Sequence, residues 1–194
     1  VRPGVTAVIP SIPPRVDTHL RRALASVLGQ TRPVDAISVH VDHERLGSAV
    51  NRTLALEAVR TEWCALLDDD DEWDPTHVAS LLEHARATGA DLVYPWFTIP
   101  QMPWGDPWPE REGQPFDQEL LRSVNYIPIT VLVRTELLRE VGGFTPKGPP
   151  ENPCDDWGTW DALLEAGARF EHLNRRTWRW NWWGGNTSGR RDRW

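Results

Sequence analysis

The sequence predicts an α/β domain in which a mostly parallel central sheet carries helices on its faces. Three observations predict it. Short apolar runs alternate with segments of helical period, and the runs at 5–9 and 63–67 are apolar apart from Thr6, as strands covered on both sides are. Helix start and stop signals separate the two kinds of segment, so helices pack against parallel strands. At 194 residues the chain fits one domain with a sizeable core rather than two.

The first strand, Val5-Thr6-Ala7-Val8-Ile9, stops at Pro10. Residues 17–28 place Leu20, Ala23, Leu24, Val27 and Leu28 on one side of a helix with Asp17 in its first turn. The strand 36–41 ends at Asp42 and completes a βαβ unit, and a second helix spans 48–59. The strand 63–67 runs directly into Asp68-Asp69-Asp70-Asp71. Asp74 as N-cap with Pro75 behind it starts a third helix reaching Ala87, Gly89 stops it, and residues 91–94 form another strand.

The character changes at Pro95. Residues 95–116 hold six prolines and three tryptophans, an ordered but irregular excursion that serves either as an acceptor wall or as a loop packed over the sheet. Beyond it a short helix at 116–122, a strand at 127–133, a helix at 134–141 stopped by Gly142-Gly143, and a helix at 156–166 ended by Gly167 are expected. Two short strands, 169–173 and 177–182, precede a glycine-rich loop. There are no repeats and no linker. We therefore read residues 1–194 as one domain with two interdependent halves, 1–94 and 95–194.

Composition narrows the function. No apolar run approaches the roughly 20 residues of a membrane span, so no stable membrane insertion is expected. The opening residues lack a signal-peptide cleavage signature, and a cytoplasmic location is expected. Cys64 and Cys154 make neither a disulfide framework nor a four-cysteine zinc site and read as spectators. The net charge of −7 conceals a split: residues 175–194 carry six arginines against Asp192, a balance of +5 that leaves −12 for the rest. That acidic body disfavours a DNA acceptor, although the basic end keeps one in view. Of twelve tryptophans, five follow position 177, too concentrated for burial to be their only use.

Four consecutive aspartates after a buried strand are the sharpest local signal. Their mutual repulsion calls for solvent, donors or a cation, and a hard divalent metal supplies the cation; a solvated loop is the plainer alternative. In an extended segment Asp68 and Asp70 would share one side. Ligands collect at the carboxyl ends of parallel strands, where Asp42 and the aspartate run both fall. Neither a Gly-x-Gly-x-x-Gly turn nor a P-loop is present, so the familiar glycine cradles for phosphates are excluded. Asp155 and Asp156 open a helix, where each is either a cap or a base facing substrate.

Taken in order, Val8-Ile9-Pro10-Ser11, Val41-Asp42, Leu67-Asp68-Asp69-Asp70-Asp71-Glu72-Trp73, Val141-Gly142-Gly143-Phe144, Asp155-Asp156-Trp157 with Trp160, and Glu165-Ala166-Gly167 resemble the inverting family 2 glycosyltransferases with the GT-A fold. The resemblance covers about residues 5–189. It implies sugar transfer from a nucleotide diphosphate sugar, a UDP-sugar first among them, to an unidentified hydroxyl acceptor such as a glycan, with inversion and with Mn2+ or Mg2+ as cofactor. It places Pro10 and Ser11 in the first nucleotide-facing loop and Asp42 at the nucleotide base. Arg52 falls at a diphosphate contact, with Asp69 beside it in the donor site. Asp68 lies at the ribose or metal shell, Asp70 is a direct metal ligand, and Asp156 is the catalytic base.

The sequence departs from the family pattern at three places. Only four residues separate Asp42 from Gly47, where relatives insert a helix and an edge strand; the order Asn51-Arg52 reverses the family's Arg-Asn; and Trp183 stands where histidine is common. Trp182 or Trp183 is therefore expected to cover the sugar or the acceptor. A nucleotidyltransferase of GT-A type, a transferase acting on DNA and a nonenzymatic carbohydrate-binding module are the competing readings. The last would bind glycan without requiring Asp156 or turning over a nucleotide sugar.

Overall fold

The computed structural model describes residues 2–100, 113–148 and 153–181. The chain alternates at first: β1 (Arg2–Ser11), α1 (His19–Leu28), β2 (Ala36–Val41), α2 (Ser48–Glu57), β3 (Thr61–Leu66), the two-residue β4 (Glu72–Trp73), which the sequence does not predict, α3 (His77–Thr88) and β5 (Leu92–Thr98). After the segment at 101–112 come α4 (Gln118–Ser123), β6 (Leu132–Arg134), α5 (Thr135–Glu140), α6 (Asp155–Glu165) and β7 (Phe170–Arg179).

One seven-stranded sheet, ordered β2-β1-β3-β6-β5-β7-β4, joins them. It is mixed, which corrects the expectation of a mostly parallel sheet. The β2-β1, β1-β3 and β5-β7 pairs are parallel, whereas β6 lies antiparallel to both β3 and β5, and β4 lies antiparallel to β7. The reversal comes from β6, which the chain enters after α4 from the opposite end of the sheet. Its three residues still fill the gap between β3 and β5, so periodicity alone gives no sign of its direction. The strand expected over 127–133 shrinks to those three because Pro128 offers no N–H to a ladder. The two short strands expected near the end are one continuous β7, irregular in register against β5 between Tyr94 and Phe97.

Side chains alternate across the sheet and build two cores. Val5, Ala7, Ile9, Trp63, Ala65 and Leu67 pack with Leu20, Ala23 and Val27 of α1 and Val78, Leu81 and Ala85 of α3. On the other face Val8, Cys64 and Leu66 meet Ala55 and Leu56 of α2, Leu138 of α5, and Trp160 and Leu163 of α6. Each of the buried valines, leucines and isoleucines contributes on the order of 1.5–3 kcal/mol by leaving water. Gly89 ends α3 at φ 70°, the left-handed cap that its place in the sequence implies. The start of α3 differs from expectation. Thr76 occupies the cap position, and Asp74 contributes its backbone carbonyl, which accepts the His77 N–H at 3.0 Å. α1 likewise begins two residues late, because a 3-10 turn over Pro13–Arg15 intervenes.

Among the described residues no helix is long and apolar enough to cross a membrane. Both cysteines are free; Cys64 is buried beside the Thr135 hydroxyl at 3.1 Å, and burial pushes its thiol up to about 12.

Candidate active site

The carboxyl ends of β1 and β3, the N-terminus of α6 and the far ends of β5 and β7 surround a cleft of about 480 Å³. Pro10, Ser11, Arg52, Asp68, Asp69, Asp70, Asp71, Asp155 and Asp156 all line it, with Phe97, Trp178 and Trp180 as an aromatic wall. The sheet brings them together: β1 and β3 are adjacent parallel strands with Val8 opposite Leu66, so the last residues of β1 and the aspartates that follow β3 share one rim.

The aspartate run is a turn and not an extended segment. The Asp71 N–H donates to the Asp68 carbonyl at 3.1 Å, which folds Asp71 back toward Asp68 and Asp70. The three carboxylates present oxygens within 4.8 Å of one another, while Asp69 turns away. Asp69 accepts from the Ser11 hydroxyl at 2.7 Å and from Arg15 Nη1 at 2.8 Å, and burial nevertheless raises its pKa. Arg15 also lies 3.3 Å from Asp70. Burial, and then the charges of Asp70 and Asp68, push the Asp71 carboxyl well above the usual carboxylate range, although the Asn181 N–H donates to it at 2.9 Å. Three converging, mutually repelling oxygen ligands fit a hard divalent cation.

Arg52 ties this cluster to α6. One Nη donates to Asp68 at 2.5 Å and the other to Asp155, the first residue of α6, and the side chain is only 9% exposed. Burial by itself would lower the Arg52 pKa, but Asp155 and Asp68 outweigh it and raise it, so the guanidinium stays charged. Asn51, its neighbour, faces the other way and donates to the Ser11 carbonyl at 2.9 Å, pinning α2 to the end of β1.

Asp156 is partly exposed on the cleft wall. Its Oδ1 accepts from Asn125 Nδ2 at 3.0 Å and from the Trp157 N–H at 2.8 Å, and its other oxygen has no hydrogen-bond partner among the described residues. Burial, and then the neighbouring Asp155 charge, raise its pKa to about 7. A carboxylate with one oxygen held and the other presented, titrating near neutrality, is equipped to accept a proton.

The structure places Asp42 differently from the other candidates. It is 2% exposed, is not among the cleft-lining residues, and accepts the Glu44 and Gly47 N–H groups, each at 3.1 Å. These bonds hold the short loop into α2, where Arg45 at φ 60° and Gly47 at φ 97° turn the chain sharply. His40 bonds Asn51 at 2.8 Å, which accounts for it without a metal. Trp178 is buried in the core beside Phe97, with ring centroids 5.1 Å apart, and Trp180 is half-buried on the cleft. Trp182, Trp183 and the glycine-rich loop after them lie outside the described residues, as do the central residues of the proline-rich stretch.

Sequence reasoning missed Arg15, Asp71 and Asn125. Arg15 carried a signal, since it is the basic residue nearest to the end of β1. Asn125 carried none, because it reaches Asp156 across 31 positions of sequence.

This architecture, a mixed sheet with a carboxylate-rich cleft at the ends of β1 and β3, is of GT-A type. The family profile of glycosyl transferase family 2 matches residues 34–142, more than half of the sequence, and the chain belongs to that family. Solved structures of S. aureus TarS share the fold. One TarS structure superposes with a TM-score of 0.68 at 15% identity, covering 92% of this chain and 36% of that one. The TarS 1–349 fragment in complex with UDP gives 0.68 at 14% identity, covering 95% and 62%, and the same fragment in complex with UDP-GlcNAc gives 0.69 at 15%, covering 96% and 60%. The chain thus spans between about a third and two thirds of the TarS chains it matches. No curated protein sequence matches it.

Proposed function

We propose that the protein transfers a sugar from a UDP-sugar to an acceptor hydroxyl with inversion at the anomeric carbon, using a divalent cation. The observation that carries this reading is that one cleft holds both a three-carboxylate cluster and, linked to it through Arg52 and Asp155, a carboxylate titrating near 7. TarS fragments of the same fold bind UDP and UDP-GlcNAc, which supports the choice of donor.

In this reading Pro10 and Ser11 border the nucleotide, and Asp42 holds the loop that frames it. Asp68, Asp70 and Asp71 would hold Mn2+ or Mg2+, which when bound offsets the charge of the departing diphosphate. The free oxygen of Asp156 takes the proton of the acceptor hydroxyl while the acceptor oxygen bonds to the anomeric carbon. The bond from that carbon to the diphosphate oxygen breaks on the opposite face, and its electron pair leaves with UDP. Arg52, occupied by two carboxylates, serves to position rather than to bind phosphate; Asp69 with Arg15 and Ser11 stiffens the donor rim. Residues 1–94 then act as the donor half and 95–194 as the acceptor half of one sheet.

The test is UDP release from UDP-glucose, UDP-galactose and UDP-GlcNAc with a mixture of glycoside acceptors, with Mn2+ or with EDTA, and NMR of the anomeric proton of any product. Chelator-sensitive release with an inverted product is expected. Release of pyrophosphate with transfer of the nucleotide would replace this reading with nucleotidyl transfer.

A further inference from the structure

The aspartate run has a cation built against it. Arg15 ends the 3-10 turn Pro13–Arg15 that follows β1, and its backbone is held on both sides: the N–H donates to the Ile12 carbonyl at 3.0 Å, and the carbonyl accepts from the Thr18 N–H at 3.2 Å. Pro13 and Pro14 fix φ in the same turn, so the side chain leaves from a rigid base. Its Nη1 donates to Asp69 at 2.8 Å and lies 3.3 Å from Oδ2 of Asp70, which belongs to the three-carboxylate cluster. The three side chains are each 12% exposed or less, so water screens these charges only weakly. Burial by itself would lower the Arg15 pKa, but Asp69 and Asp70 outweigh it, and the guanidinium stays charged.

We propose that Arg15 is a resident counter-charge that weakens the cluster's hold on a divalent cation and so ties metal loading to the arrival of the donor. The coupling to the donor rests on the glycosyltransferase reading; the effect on the cation alone does not. A guanidinium beside Asp70 offsets part of the negative charge that a divalent ion would otherwise find there, and it repels that ion across a short, poorly screened distance. The diphosphate of a donor brings negative charge to the same rim. It offsets the repulsion and gives Arg15 a further anion to face, so cation and donor each bind better in the other's presence, and by the same factor. With a neutral side chain in place of Arg15, the cluster would present its full charge and take the cation ahead of the donor.

Calorimetry on the intact protein tests this with Mn2+ alone and with Mn2+ at saturating UDP, in the wild type, Arg15→Gln and Arg15→Lys. Arg15→Gln should bind Mn2+ alone about ten-fold or more tighter than the wild type, whereas Arg15→Lys, which keeps the charge, should stay within about three-fold of it. UDP should strengthen Mn2+ binding by a clearly smaller factor in Arg15→Gln than in the wild type. Thermal melts supply a second readout: Arg15→Gln should melt lower in EDTA and gain more from a given Mn2+ concentration. Should this variant not fold in EDTA, Mn2+ should restore it, because the divalent charge replaces the missing one; a chain still unfolded with Mn2+ would overturn the proposal. Mn2+ binding that is unchanged or weaker in Arg15→Gln would overturn it too, as the mark of an arginine that only shapes the site. Mn2+ binding by none of the three proteins would defeat the cation reading along with it. Absence of UDP binding, with the Mn2+ difference intact, would defeat the donor reading and leave the counter-charge standing.

Discussion

Arg52, on α2, and Asp155, the first residue of α6, form a buried ion pair that ties the helix carrying Asp156 to the rest of the cleft. The same guanidinium also reaches Asp68, so one side chain links the aspartate cluster to the helix that carries Asp156. Removal should therefore harm stability and catalysis together. Arg52→Ala is expected to cost about 3–5 kcal/mol, the usual consequence of leaving a buried charge unpaired. Arg52→Lys, a point charge in place of a two-pronged fork, should recover part of the stability and little of the kcat. Thermal melts and steady-state kinetics on both variants check this.

Asp156→Asn keeps the size and capping capacity of the side chain while removing the proton acceptor. Its kcat should fall by roughly 10²–10⁴ with donor affinity near normal. Asp155→Asn is the control: it should lose stability through Arg52 and keep a measurable fraction of turnover. A severe loss confined to Asp155→Asn would transfer the base by one residue.

The pH profile follows from the Asp156 pKa of about 7. In the proposed mechanism the ionised form is the base, so kcat/KM should rise about ten-fold per pH unit below that value and level off above it. Asp155→Asn removes a neighbouring negative charge that disfavours ionisation, and the rising limb should move to lower pH. A limb unmoved in that variant would mean that a different group titrates.

Metal binding should be visible without any turnover. Asp71 has its pKa raised on folding, so its contribution favours the folded state at low pH and is lost as pH rises through the raised value. The converging carboxylates repel one another when ionised, a cation relieves that repulsion, and Mn2+ at one hundred times its Kd should stabilise the protein by about 2.7 kcal/mol. Differential scanning calorimetry with and without Mn2+ should show that gain in the wild type. The gain should be nearly absent in Asp70→Asn and reduced in Asp68→Asn and Asp71→Asn. Unchanged metal dependence in Asp70→Asn would remove Asp70 from the ligand set.

Gly158 has no room for a side chain. A Cβ there would lie 1.9 Å from the Thr145 carbonyl oxygen, so the first turn of α6 packs on that backbone only through glycine. Gly158→Ala should destabilise by about 1–3 kcal/mol, as overpacking does, and should lower kcat by displacing Asp155 and Asp156. Chemical denaturation and kinetics on this single variant measure both effects.

The sequence by itself determined the helices and longer strands up to Tyr94, though not where α1 and α3 begin, since each is specified by local periodicity and by a stop signal such as Pro10 or Gly89; the two-residue β4 carries no such pattern. It also determined that carboxylates gather at the strand ends, because strand direction puts Asp68–Asp71 there once β3 is recognised. Only the tertiary structure decided the rest. The direction of β6 depends on where α4 delivers the chain, which no side-chain pattern encodes. Asp71 joins Asp68 and Asp70 because the run closes into a turn, where an extended strand would have parted them. Asp42 and Arg52 could be placed near the site from sequence, yet their partners could not: Asp42 spends its oxygens on two backbone N–H groups of its own loop, and Arg52 bridges residues 16 and 103 positions away. Asn125 reaches Asp156 from a different element altogether. Contacts of that range follow from how the layers pack, and packing responds to the whole chain at once.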